Sequence, residues 1–145
     1  MTNGKTSATL RIGWVLLLLM ALLLVVGGVG SLWVAYRGTG DAMAGTALYE
    51  AAKDNPDLLN SLRGKRATAA SYALTCGLLL GWVTLTAFRK RERWAWFAVL
   101  TSIGLGAAGS ILRYFVLDLS AGTSTAVATL AVMAVALAVS YRDFR

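Results

Sequence analysis

Four long apolar runs divide the sequence, and this division limits the folds open to it. The runs cover about 12–36, 67–88, 94–115 and 122–141. A helix needs roughly 20 residues to cross the hydrocarbon core of a bilayer, and each run is about that long. Asp, Glu, Lys and His are absent from all four, and Arg113 is the one charged residue within them. The pattern predicts an all-α integral membrane protein with four transmembrane helices.

Composition favours the same class. The 145 residues are 57% hydrophobic and 14% charged, which is too little polar material to coat a water-soluble globule. The net charge of +7 does not indicate nucleic acid, because the basic residues flank the runs and anionic lipid head groups are nearer. Membrane lipids are therefore predicted partners. The Ala-, Gly-, Leu- and Arg-rich, Lys-poor usage is typical of a GC-rich bacterium, so we expect a bacterial plasma (inner) membrane.

Several functions are excluded by residue types that the chain lacks. Without His, it cannot form His-ligated haem, zinc or copper sites, or a nucleophile paired with His. Cys76 is the single cysteine, so an intramolecular disulfide is excluded. The absence of carboxylates from the runs removes the usual groups of a proton relay. We expect no metal site and no cofactor, and the sequence leaves open whether the chain is an enzyme.

Basic residues predict the orientation. Arg89–Arg93 holds four cations in five residues between the second and third runs, which predicts a cytoplasmic hairpin. Eight basic residues fall on its side and six on the other: Lys5, Arg11, Arg89, Lys90, Arg91, Arg93, Arg142 and Arg145 against Arg37, Lys53, Arg63, Lys65, Arg66 and Arg113. Both termini of this multi-pass chain are therefore expected in the cytoplasm.

The segment 40–66, between the first and second runs, is predicted to form a short helical extracytoplasmic piece of the same single domain, 1–145. Met43, Ala47 and Ala51 recur at helical spacing. Asn55 is a predicted N-cap for a new helix that begins at Pro56 and continues through Gly64 into the second run. We expect this segment to lie on the outer membrane surface.

Small residues predict where helices pack closely. The candidate packing residues are Gly27 and Gly28 in the first run and Gly104, Gly106, Ala108, Gly109 and Ser110 in the third. Gly104 and Ala108 are four residues apart, and so are Gly106 and Ser110. This spacing of small residues lets two helix backbones approach each other closely in lipid. The pattern is compatible with helix packing within one chain and with helix packing between chains.

Arg113 is the most unusual polar residue, and it has two interpretations. Its side chain extends to the lipid head groups, or it helps to line an anion site in the outer leaflet. Guanidinium groups suit the second role, because they bind phosphate through two parallel hydrogen bonds. The candidate ligand-binding residues are Arg37, Arg63, Arg66, Tyr72, Arg113, Tyr114 and Asp118.

Three functions fit these features. The scarcity of catalytic residue types favours a small non-catalytic accessory or assembly subunit that binds other membrane helices. Its partner would be another membrane protein or further copies of the chain. A lipid- or isoprenoid-binding protein or enzyme with an outer-leaflet anion site is the alternative. A small oligomeric channel or exporter is the third, although the charge-free runs offer no evident ion path.

Overall fold

The computed structural model describes residues 8–37, 54–117 and 123–145, and within these ranges all regular secondary structure is helical. The α-helices are α1 (Ala8–Arg37), α2 (Pro56–Val83), α3 (Arg93–Leu117) and α4 (Thr123–Ser140). A π-helical turn, Thr84–Phe88, extends α2, and a 3-10 turn, Tyr141–Phe144, follows α4. The predicted all-α class is confirmed for the described residues. The predicted helix within 40–53 lies outside them.

Three helical stretches in the described part of the chain are long and apolar enough to cross a membrane: Ala8–Arg37, Pro56–Phe88 and Val127–Phe144. In their most apolar windows only 28%, 22% and 28% of the residues are buried, so most of each helix surface is uncovered. Such surface is compatible with a multi-pass membrane protein, because lipid or apolar helices cover faces of this kind. The predicted crossing by α3, the third apolar run, stays a prediction.

Hydroxyl side chains within the helices donate hydrogen bonds to the preceding helical turn. Thr75 donates to the carbonyl oxygen of Ser71 at 3.0 Å, and Thr101 donates to that of Phe97 at 2.7 Å. The same pairing is made by Thr68, Ser71, Thr84, Thr86 and Ser102. An unpaired hydroxyl in an apolar medium is costly, and the i−4 carbonyl is the nearest acceptor. This pairing explains how polar residues fit into apolar helices.

The start of α2 is fixed by a local capping interaction. The Asn55 side-chain oxygen accepts a hydrogen bond from the Leu58 N–H at 3.1 Å, and the Asn55 carbonyl accepts one from the Leu59 N–H at 3.1 Å. Pro56 occupies the first helical position, where no N–H is needed. The predicted cap and the continuous helix through Gly64 are therefore confirmed.

The chain divides into two compact units, and each has its own internal contacts. Unit 1 comprises Met1–Met20 with Leu80–Arg145, and unit 2 comprises Ala21–Leu79. The division falls within α1 and within α2. The single domain predicted over 1–145 stays a prediction.

Unit 1 contains a hydrophobic core in which α1, the π-helical turn, α3 and α4 take part. Leu10, Leu17 and Phe88 are fully buried in it, at 0% exposure. The other buried members are Met20, Ala87, Ala95, Val99, Met133, Ala136, Leu137 and Phe144. Polar groups are paired within the same region. The Ser140 hydroxyl donates to the Ala136 carbonyl at 2.7 Å, and the Trp96 indole donates to the Leu137 carbonyl at 3.2 Å.

The hairpin between α2 and α3 closes through main-chain hydrogen bonds. The Arg91 N–H donates to the Phe88 carbonyl and the Glu92 N–H donates to the Ala87 carbonyl, both at 3.0 Å. Arg91 has a φ of 62°, in the left-handed region that usually favours glycine. These bonds and this φ form a Schellman motif, which satisfies carbonyl groups at the end of a helix. The hairpin therefore has a fixed conformation.

Candidate functional site

Glycines bring α1 and α2 into close contact within unit 2. A Cβ atom built on Gly28 would lie 3.0 Å from the Leu74 main-chain nitrogen and 3.1 Å from the Ala70 carbonyl oxygen. One built on Gly77 would lie 3.0 Å from the Ala21 carbonyl oxygen and 2.9 Å from a Val25 methyl carbon. Both glycines therefore occupy places where a larger residue would force the helices apart.

Two arginines of α2 lie three residues apart, near the end of this helix contact. The Arg66 Nε–H donates to the Ser31 hydroxyl oxygen of α1 at 3.2 Å. Arg63 is half-buried, and its Nε atom is buried without a hydrogen-bond partner among the described residues. Residues i and i+3 of a helix share a face, so the two guanidinium groups leave the same side of α2.

Other predicted ligand-binding residues have different surroundings. Arg37 is exposed at the end of α1, and its guanidinium carbon lies 5.5 Å from the centroid of the Trp33 ring. Tyr72 is 69% exposed on α2. Arg113 and Tyr114 belong to α3, but their side chains, like the whole of Asp118, lie outside the described part of the structure. The predicted anion-site residues whose side chains are described are thus all in unit 2.

Several predicted packing residues of α3 are exposed. The faces of Gly104 and Gly109 are open: no described atom outside their own helix turns lies within 4 Å of a Cβ built there. A Cβ built on Gly106 would lie 3.6 Å from a Leu130 methyl carbon, which is an ordinary van der Waals contact. Ala108 is exposed. The Ser110 side chain is outside the described residues. Gly27 of α1 is open, unlike its neighbour Gly28.

Sequence reasoning missed two glycines that make close contacts. A Cβ on Gly13 would lie 2.9 Å from the Ser140 Cβ, and the contacts of Gly77 are equally short. A signal for Gly77 was available, because small residues recur every four positions at Ala69, Ala73, Gly77 and Gly81. Gly13 is isolated within its apolar run, so no comparable signal marks it.

The polar side chains near the contact of α1 with α2 include those of Ser31, Arg63 and Arg66. Among the described residues there is no group of three or more His, Cys, Asp or Glu able to hold a metal ion. Cys76 is exposed on α2, without a disulfide partner. The chemistry that Arg63, Arg66 and Ser31 offer is hydrogen bonding to an anion.

Comparison of the chain with protein-family models, with curated proteins and with solved structures finds no match.

Proposed function

We propose that this chain is a small, non-catalytic, four-span subunit of a bacterial plasma membrane that binds other membrane helices through α3. Thr101, Gly104 and Ala108 define the α3 face. These residues follow one another at i, i+3 and i+7, so they share one side of the helix, and all three are exposed. The open space at Gly104 carries the proposal, because a small-residue face lets a second helix approach closely in lipid.

The length of α3 is consistent with a membrane crossing. Its 25 residues correspond to about 37 Å at the rise of an α-helix, which exceeds the thickness of the hydrocarbon core. In the proposed topology α1, α2, α3 and α4 alternate in direction, and both termini lie in the cytoplasm. The short hairpin between α2 and α3 then lies on the cytoplasmic side with its four cations.

Native mass spectrometry after gentle extraction tests the proposal. We expect the wild type to retain a stoichiometric membrane partner or a second copy, and Gly104→Leu with Ala108→Leu to release it. Gly30→Leu is the matched control, because Gly30 is also open and exposed, but on α1. It adds the same bulk as Gly104→Leu alone, away from the α3 face. A wild-type monomer without a partner, or equal release by the control, would contradict the proposal.

A second candidate function is lipid or isoprenoid binding at an outer anion site. The observation that favours it is the Nε of Arg63, which is buried and has no hydrogen-bond partner in the described part of the chain, three positions before Arg66, which donates to Ser31. A buried N–H donor without an acceptor is unfavourable, and a phosphate oxygen would accept its hydrogen bond. The roles predicted for Arg113, Tyr114 and Asp118 stay predictions.

Lipid that copurifies with the protein distinguishes this candidate. If the site exists, Arg63→Gln loses a bound phosphate-containing lipid, and Arg63→Lys loses nearly as much because it lacks the planar group. Lys65→Gln is the control, since Lys65 is an exposed neighbour on the same helix. Unchanged lipid content in both Arg63 variants would remove this candidate.

A further inference from the structure

Seven exposed basic side chains are carried by three segments of unit 1. We call this set the basic collar; it consists of Arg11, Arg89, Lys90, Arg91, Arg93, Arg142 and Arg145. Direct contacts join the three segments. The Thr9 hydroxyl donates to the Asp143 carboxylate at 2.6 Å, the Arg89 guanidinium carbon lies 6.0 Å from the Trp14 ring centroid, and Arg93 donates to the main-chain oxygen of Arg145. The collar is therefore one surface and not three separate charged ends.

The two carboxylates in these segments leave the collar strongly positive. Glu92 accepts a hydrogen bond from the Trp94 indole, and Asp143 accepts one from the Thr9 hydroxyl. Both donors are neutral. Within the described part of unit 1, the seven cations of the collar thus outnumber the two side-chain carboxylates of the same segments, and both carboxylates accept hydrogen bonds from neutral groups.

Aromatic residues accompany the collar at the same end of unit 1. Trp94 is 54% exposed and Tyr141 is 46% exposed. The Tyr141 ring packs against the Trp96 ring, with centroids 5.7 Å apart, and the Arg145 guanidinium carbon lies 5.6 Å from the Tyr141 centroid. Exposed Trp and Tyr at the ends of apolar helices occupy the level of the lipid head groups. In an inserted protein, this level would place the collar at the depth of lipid phosphates.

We infer that the basic collar binds the phosphate groups of anionic phospholipids in preference to zwitterionic ones. The inference rests on the proposed insertion of the helices in a membrane. Two observations favour a lipid surface as the partner. The positive collar complements anionic head groups, and an anion bound beside Trp94 and Tyr141 lies next to apolar helices. The fixed hairpin and the buried Phe144 hold the segments in place before lipid binds, which lowers the entropic cost of binding.

Binding to lipid vesicles tests this inference. The full chain is purified in a neutral detergent, and its transfer is measured into phosphatidylcholine vesicles with and without phosphatidylglycerol. Individual bound lipids are counted by native mass spectrometry. For the wild type we expect phosphatidylglycerol to be retained over phosphatidylcholine, with a preference that falls as salt is raised.

The variants are chosen so that folding is preserved. Lys90→Gln with Arg142→Gln removes two exposed collar charges, and we expect the preference for phosphatidylglycerol to fall on the order of tenfold. Lys90→Gln is also made alone, and Lys65→Gln is its matched control, because it makes the same chemical change on an exposed residue of unit 2. Lys65→Gln should leave the preference for phosphatidylglycerol within about twofold of the wild type, because the charge that it removes lies outside the collar.

Several results would overturn the inference. These are a wild type that does not distinguish the two lipids, a double variant with the wild-type preference, and a control that loses as much as a collar variant. Stronger retention of a short DNA duplex or an acidic peptide than of phosphatidylglycerol would assign the collar to another partner. Alkaline flotation separates the two proposals. A chain that leaves every vesicle refutes membrane insertion, whereas one that floats without lipid preference refutes only the collar.

Discussion

The ring of Phe144 lies 4.7 Å from the ring of Phe88, centroid to centroid, with the ring planes inclined by 53°. Phe88 ends the π-helical turn after α2, and Phe144 ends the 3-10 turn after α4. Both side chains are buried, at 0% and 8% exposure. This aromatic pair attaches the segment after α4 to the hairpin. Its removal therefore tests the packing of unit 1.

Replacing Phe144 with Ala should lower the free energy of unfolding by about 3 kcal/mol, because a buried aromatic ring is removed and a cavity is left. Phe97→Ala is the control, since the Phe97 side chain is 60% exposed, and its loss should be smaller. Unfolding in detergent by heat or denaturant, followed by tryptophan fluorescence, measures both. Equal losses in the two variants would mean that Phe144 contributes no more than a surface ring.

Two glycines of unit 2 should respond to replacement by alanine with stability changes in opposite directions. Gly77→Ala should destabilise the protein by about 1–3 kcal/mol, because the new methyl group meets the Ala21 carbonyl and Val25. Gly27→Ala has open space and should raise helix stability by up to about 1 kcal/mol. Thermal aggregation and unfolding in one detergent compare them. A Gly77 variant as stable as the wild type would argue against the close contact.

The sequence predicted features whose causes are local. Apolar length predicted the long helices, and the Asn55-Pro56 pair predicted the start of α2, because a cap depends on residues within one turn. The π-helical turn and the left-handed Arg91 were not predicted. Arginine has no preference for a positive φ. In the π-helical turn Thr84 and Phe88 are fully buried, and Phe88 packs against Phe144, which is distant in sequence.

For the candidate site, the sequence indicated residue types better than partners. The guanidinium groups of Arg63 and Arg66 indicate phosphate binding from the sequence alone, but the hydrogen bond from Arg66 to Ser31 depends on the packing of α2 against α1. The same limit applies to the glycines. A stripe on one helix does not say which side a second helix covers, so open Gly27 and close-packed Gly28 look alike in sequence.

Arg91→Gly should stabilise the hairpin. A residue with a side chain at a φ of 62° costs about 1–2 kcal/mol relative to the right-handed region, and glycine avoids much of that cost. Arg91→Ala is the matched control, because it removes the same charge but keeps the unfavourable conformation. We expect the glycine variant to exceed the alanine variant by about 1 kcal/mol in unfolding free energy. Equal stability of the two would argue that Arg91 does not hold a positive φ in the folded protein.

The proposed topology makes an expectation that does not depend on stability. Both termini face the cytoplasm if the hairpin Arg89–Arg93 does, because its four cations are the densest basic group next to short connections. Single cysteines at Glu92 and Asn60, both exposed, are introduced after Cys76→Ala and treated in intact cells with a thiol reagent that does not cross membranes. The Asn60 position should react, and the Glu92 position should react only after the cells are opened. Labelling of Glu92→Cys in intact cells, with Asn60→Cys shielded, would reverse the orientation and place the basic collar on the outer side.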